Sequence, residues 1–189
     1  MLYLHGFRSS PKSTKAVLVA ERLAREHPDV TWWCPQLPPS PKAAMDLLLQ
    51  GTAAWPAERM AVIGSSLGGF YATVVHNARG CRTVMLNPAV HPVRDLAKHI
   101  GEQVAWHDPN ERFFFEPRYV DELREMDRPG LRDPSKVFAV IAKGDEVLDW
   151  REMVARFPGA RLKLLEGSDH AITEFGEYVG EVLGFALGA

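Results

Sequence analysis

The segment Gly64-Ser65-Ser66-Leu67-Gly68-Gly69 constrains this chain more than any other stretch. It stands between an apolar run, Met60-Ala61-Val62-Ile63, and a helical pattern from Phe70 to Ala78. A strand that turns sharply through glycines into a helix sets Ser66 on a strained elbow with its hydroxyl exposed. Glycines flank it because a side chain at either position would collide with the neighbouring strand or helix. A glycine-x-serine-x-glycine string is unspecific by itself. The strand, the helix and two partner motifs further on make it informative here.

Strand and helix patterns alternate along the whole chain, which predicts an α/β fold with a mostly parallel sheet flanked by helices. Residues 2–4, 30–34, 60–63, 83–86, 137–142 and 161–165 read as strands, about six in all. Ser10-Pro11 and Ser40-Pro41 each read as a cap followed by proline in the first helical turn. The first of these helices carries Ala16, Val17, Ala20, Leu23 and Ala24 on one face, and the second turns Ala44, Met45, Leu48 and Leu49 inward. The helix after Ser66 ends at Gly80. Further helices are expected over 149–157 and 173–187. Residues 91–134 break the rhythm with charge, proline and the run Phe113-Phe114-Phe115, and read as a small helical insertion over the carboxyl edge of the sheet.

At 189 residues the chain predicts one domain, 1–189, with room for a sizeable core. A formal net charge of −2 gives no electrostatic reason to expect nucleic acid or an anionic membrane as partner. Residues 1–4 are too short and uncharged to open a signal peptide, and no apolar run approaches the ~20 residues of a membrane helix. The default location is the cytoplasm, where Cys34 and Cys81 read as reduced core residues rather than a disulfide.

A serine hydroxyl needs a base, and the base needs a group that fixes its tautomer and stabilises its cation. In open α/β sheets such groups gather after the carboxyl ends of strands, here in the order serine, acid, histidine. Of seven histidines, His170 sits in that place, in Glu166-Gly167-Ser168-Asp169-His170-Ala171. For the acid, Asp145 lies in the turn just beyond residues 137–142. Asp149 has an alternative use in an Asp-x-x-Glu cap with Glu152. Glu146 would need a different loop path. His5-Gly6-Phe7 follows the first strand, so the backbone N–H groups of Phe7 and Leu67 are the candidate oxyanion donors. His5 reads as a residue that shapes this loop, with a second base as its alternative.

Other chemistries fit less well. The loop from Gly64 to Gly69 lacks the Gly-Lys-Ser/Thr ending of a phosphate-binding loop. No His-Glu-x-x-His or Cys-x-x-Cys is present, so no metal or other cofactor is implied.

With these residues placed, the chain resembles the α/β-hydrolase superfamily, and more narrowly the small bacterial YqiA-type esterase family. The matching blocks are Leu2-Tyr3-Leu4-His5-Gly6-Phe7 with Ser9-Ser10-Pro11, then Pro35-Gln36-Leu37-Pro38-Pro39 and Ile63 through Gly69. Asn87-Pro88-Ala89-Val90, Gly144 through Asp149 and His170-Ala171 complete them. The resemblance implies a truncated α/β-hydrolase fold and an esterase or thioesterase using Ser66, Asp145 and His170. The expected reaction is hydrolysis of a small-molecule ester or thioester through an acyl-enzyme. An acyltransferase or amidase on the same triad, or a non-catalytic binding protein, are the alternatives. Residues 91–134 suggest a lid, with Phe113, Phe114 and Phe115 either lining an acyl pocket or anchoring the lid to the sheet.

Overall fold

Val137-Phe138-Ala139-Val140-Ile141-Ala142 is apolar throughout, and every residue of it is buried. A run of this kind forms a strand covered on both faces, as in a parallel sheet packed between helix layers. In the computed structural model, which describes residues 1–188, the chain begins β1 (Leu2–Leu4), α1 (Thr14–Glu26), α2 (Pro41–Gly51), β2 (Ala61–Ser65), α3 (Leu67–Arg79) and β3 (Arg82–Leu86). It continues α4 (Pro92–Ala97), β4 (Gly101–Val104), β5 (Arg112–Phe115) and α5 (Pro117–Met126). It then runs β6 (Val137–Ala142), α6 (Trp150–Arg156), β7 (Arg161–Leu165) and α7 (Val179–Leu187).

The main sheet has five strands in the order β1-β2-β3-β6-β7, and every neighbouring pair is parallel. Side chains alternate across it with the two-residue period of a strand. Leu2, Leu4 and Val62 pack with α2, α3 and α5, while Tyr3, Ile63, Val84 and Phe138 pack with α1 and α7. Met85, Ala139 and Ile141 meet Met153 and Phe157 beside α6. Each fully buried Leu or Ile contributes about 1.5–3 kcal/mol relative to exposure.

Five strands replace the expected six. Residues 30–34 run beside β1 but contribute only one bridge, Leu2 to Trp33. Two hydrogen bonds flank it, Trp33 N–H to the Met1 carbonyl at 3.0 Å and Tyr3 N–H to the Trp33 carbonyl at 2.9 Å. Pro35 then removes the next donor, so the ladder stops.

The second cap is as expected: Ser40 Oγ accepts from Ala43 N–H at 3.1 Å. The first is displaced. Ser10 Oγ accepts from Lys12 N–H at 3.2 Å in a turn, and the helix starts at Thr14. Its buried face is Ala16, Val19 and Leu23, with Val17 turned outward.

The insertion is not purely helical. Between α4 and α5 lies an antiparallel hairpin, β4 with β5, pairing Gly101 with Phe115 and Val104 with Arg112.

Candidate active site

All five strands of the main sheet release a polar or backbone group at their carboxyl ends, the edge where open α/β sheets bind ligands. Phe7 follows β1, Ser66 follows β2, Asn87 follows β3, Asp145 follows β6 and His170 follows β7.

Ser66 turns the chain from β2 into α3 at φ 54°, ψ −119°. Holding a non-glycine residue there costs on the order of 1–3 kcal/mol, and the surroundings must enforce it. They do so through its backbone: Ser66 N–H donates to Leu86 at 3.0 Å, and its carbonyl accepts from Gly69 at 2.8 Å and Ala89 at 3.0 Å. The glycines are needed for space. A Cβ on Gly68 would lie 2.0 Å from the Leu4 carbonyl oxygen, and one on Gly64 would lie 2.1 Å from that of Gly68.

The Asp145 side chain is fully enclosed. Its Oδ1 accepts from Val147 N–H and Leu148 N–H, both at 2.8 Å. Its Oδ2 lies 2.7 Å from His170 Nδ1, and His170 Nε2 lies 3.1 Å from Ser66 Oγ. An ionised carboxylate only accepts, so Nδ1 carries the proton and Nε2 presents a lone pair to the serine hydroxyl. The two other acids do different work. Asp149 caps α6 through Arg151 N–H at 2.9 Å, and Glu146 accepts the backbone N–H of His170 at 3.0 Å.

Phe7 N–H and Leu67 N–H have no acceptor among the described residues. Leu67 opens α3, so its N–H has no partner within the helix. Gly6 brings the first loop against the serine, since a Cβ there would stand 3.2 Å from Ser66 Cβ. His5 is 3% exposed with both ring nitrogens engaged: Nδ1 donates to the Gly6 carbonyl at 2.9 Å and Nε2 accepts from Leu37 N–H at 3.0 Å. Burial pushes its pKa below the ordinary histidine value. It is a neutral strut of the loop, not a second base.

A cleft of about 360 Å³ opens beside the two free N–H groups, walled by Phe7, Leu37, Pro38, Leu67, Tyr71 and Phe113. The phenylalanine run divides as strand geometry dictates. Phe113 meets the Phe7 ring edge-on at 5.8 Å and lines the cleft. Phe115 is 1% exposed and anchors the hairpin between Phe7 and Tyr119. Phe114 is 58% exposed, and of the three rings expected at a pocket neither it nor Phe115 lines this cleft. Arg8 ties the first loop to the hairpin. Its Nε donates to the Val104 carbonyl at 2.6 Å, its own carbonyl accepts from Trp106 N–H at 2.7 Å, and its guanidinium lies over the Trp106 ring. A larger recess of about 500 Å³ lies at the opposite, amino-terminal ends of β2 and β3, beside Asp29, Glu58 and Arg82, and contains none of the expected site residues.

Three contacts at the edge were not anticipated. Asn87 reaches the His170 loop, as does Glu146, and Lys15 Nζ donates to the Ala171 carbonyl. Burial pushes the Lys15 amine down to about 8, against the opposing pull of Asp169 and Asp145. For Asn87 a signal existed: a polar residue directly after an apolar strand whose neighbours all end in candidate site residues. Cys34 and Cys81 are free thiols, and burial pushes Cys34 up to about 12, far from a reactive thiolate. Among the described residues, no helix is long and apolar enough to cross a membrane.

The sheet order, the serine elbow and the edge that gathers these groups define an α/β-hydrolase fold, and solved structures agree. Est1E from Butyrivibrio proteoclasticus superposes with a TM-score of 0.72 at 17% identity, over 100% of this chain and 88% of that one. A structure reported for two metagenome-derived lipolytic enzymes, LipS and LipT, gives 0.74 at 17% identity, over 100% and 93%. Mouse alpha/beta hydrolase domain-containing protein 10 gives 0.72 at 14%, over 96% and 88%. Residues 1–187 match the model of the Uncharacterised protein family (UPF0227), and the chain belongs to that family.

Proposed function

We propose that this chain is a serine hydrolase that cleaves carboxylic esters or acyl thioesters of small molecules through an acyl-enzyme. One observation carries the reading: the unbroken chain of contacts from Asp145 through His170 to Ser66, at 2.7 and 3.1 Å. Both distances lie within the range in which a base can take a proton from a nucleophile.

In this reading Ser66 Oγ attacks the substrate carbonyl as its proton passes to His170 Nε2. Asp145 holds the imidazole in the Nδ1–H tautomer and stabilises the imidazolium that forms. The developing oxyanion accepts from Phe7 N–H and Leu67 N–H, which have no competing partner among the described residues. One such donor is typically worth about 3–4 kcal/mol of transition-state stabilisation. The tetrahedral intermediate collapses, and His170 returns the proton to the leaving alcohol or thiol. Water, deprotonated by His170, then releases the acid.

The cleft beside the oxyanion donors supports an apolar acyl or alcohol group. Its volume of about 360 Å³ is near the lower end of small-molecule sites, which favours short or medium acyl groups. Est1E, of the same fold, has been described with ferulic acid bound. A fluorophosphonate probe tests the reading: it should label Ser66 in the wild type and fail to label Ser66→Ala. Labelling at another residue, or none, overturns it.

A further inference from the structure

The base would be useless if its loop wandered. His170 stands on the connection from β7 to α7, which carries little regular structure. Ile172, two residues on, has a positive φ of 49°. Within it, Asp169 accepts from Ile172 N–H at 3.1 Å and, through its carboxylate, from Thr173, and contacts from other strands add to these.

Asn87 is 1% exposed and sits at the end of β3 with φ 43°, a left-handed conformation that asparagine tolerates better than most residues. Its backbone N–H extends the ladder to the Val140 carbonyl at 3.0 Å. Its side-chain Oδ1 accepts from Ala142 N–H at 2.7 Å, at the end of β6. Its Nδ2 donates to the Asp169 carbonyl at 3.0 Å and the His170 carbonyl at 3.1 Å. The partners fix the amide orientation, because an N–H needs the oxygen and two carbonyls need the NH₂.

We infer that Asn87 is a positioning residue that locks the base loop to the strand carrying the acid, and so sets the reach of His170 to Ser66. This rests on the reading proposed above for Ser66, Asp145 and His170. One amide group spans three strand ends: it grows from β3, takes a donor from β6 and grips two consecutive carbonyls beyond β7. Lys15 grips the next carbonyl, Ala171, and Glu146 takes the His170 N–H, so the clamp acts on the main chain and leaves the imidazole free for its two contacts.

Aspartate is the sharpest probe. Asn87→Asp keeps the size and the acceptor for Ala142 but turns a carboxylate oxygen toward two carbonyl oxygens. Asn87→Gly removes the whole side chain and suits the positive φ. Both should lower kcat for a short-chain ester by roughly 10²-fold, the scale of a misplacement near 1 Å. KM should move less than about threefold, because neither Asn87 nor the carbonyls it grips line the cleft. Crystal structures of the variants should show the imidazole out of reach of Ser66 Oγ. A folded variant with wild-type kcat, or with His170 unmoved, overturns the inference. Failure of both variants to fold also overturns it, since Asn87 would then serve stability alone. Should the wild type hydrolyse nothing through Ser66, the functional reading fails, yet the imidazole position in the variants still decides the role of Asn87.

Discussion

Glu146 holds His170 by its backbone: Glu146 Oε2 accepts the main-chain N–H at 3.0 Å, while the ring belongs to Asp145. The neighbouring acids should therefore separate in kinetics. Asp145→Asn inverts the tautomer preference of the imidazole and should lower kcat on the order of 10⁴-fold. Glu146→Gln still offers an acceptor to the N–H and should cost less than about tenfold. Steady-state rates with a short-chain aryl ester check this, and equal losses would contradict the assignment.

Gly68 faces a conflict between helix propensity and space. Alanine is favoured in a helix by about 1 kcal/mol. Its Cβ would stand 2.0 Å from the Leu4 carbonyl oxygen, which is backbone and cannot swing aside. Overpacking of this kind typically costs about 1–3 kcal/mol, so Gly68→Ala should be net destabilising. Urea midpoints measure it, and a midpoint above wild type would contradict the packing argument.

Acid should weaken the fold through buried histidines. His76 is fully buried, with Nδ1 donating to the Cys81 carbonyl at 2.9 Å and Nε2 accepting from Asp133 N–H at 3.2 Å. Burial pushes the pKa of both His5 and His76 below the ordinary value. As pH falls below about 6.5 the unfolded chain takes up protons that the folded chain refuses. Stability therefore falls with pH from that point until the depressed folded values are reached. The change in urea midpoint between pH 7.5 and 5.5 should shrink in His76→Leu, whatever its absolute stability. An identical change in variant and wild type would contradict the direction given for His76.

Chain-length preference should respond to one phenylalanine and not its neighbour. Phe113→Ala enlarges the cleft and should shift the preferred ester toward longer acyl groups. Phe114→Ala removes an exposed ring and should leave the profile intact. Relative kcat/KM across a series of p-nitrophenyl esters reads both, and the reverse pattern would contradict the placement of the cleft.

Much of this edge was legible in the sequence because each candidate followed an apolar strand. The Ser66 elbow, Asp145 and His170 are local signals repeated at the same structural position. What was not legible depends on register and partners. Residues 30–34 have strand-like residues, but Pro35 ends their pairing with β1 after a single bridge. Phe113-Phe114-Phe115 has no polar alternation to announce a hairpin, so the outward turn of Phe114 could not be read. Asn87 stands at a legible strand end, but its partners are unreadable until the His170 loop, 83 positions on, comes to rest on it.

The most direct measurement is turnover by Ser66→Ala. With acetyl or butyryl p-nitrophenyl esters, the variant should be folded and its kcat lower than wild type by up to about 10⁶-fold. Mass spectrometry of the wild type with a fluorophosphonate should place one adduct on Ser66. Near-normal turnover by Ser66→Ala would contradict a mechanism through that hydroxyl.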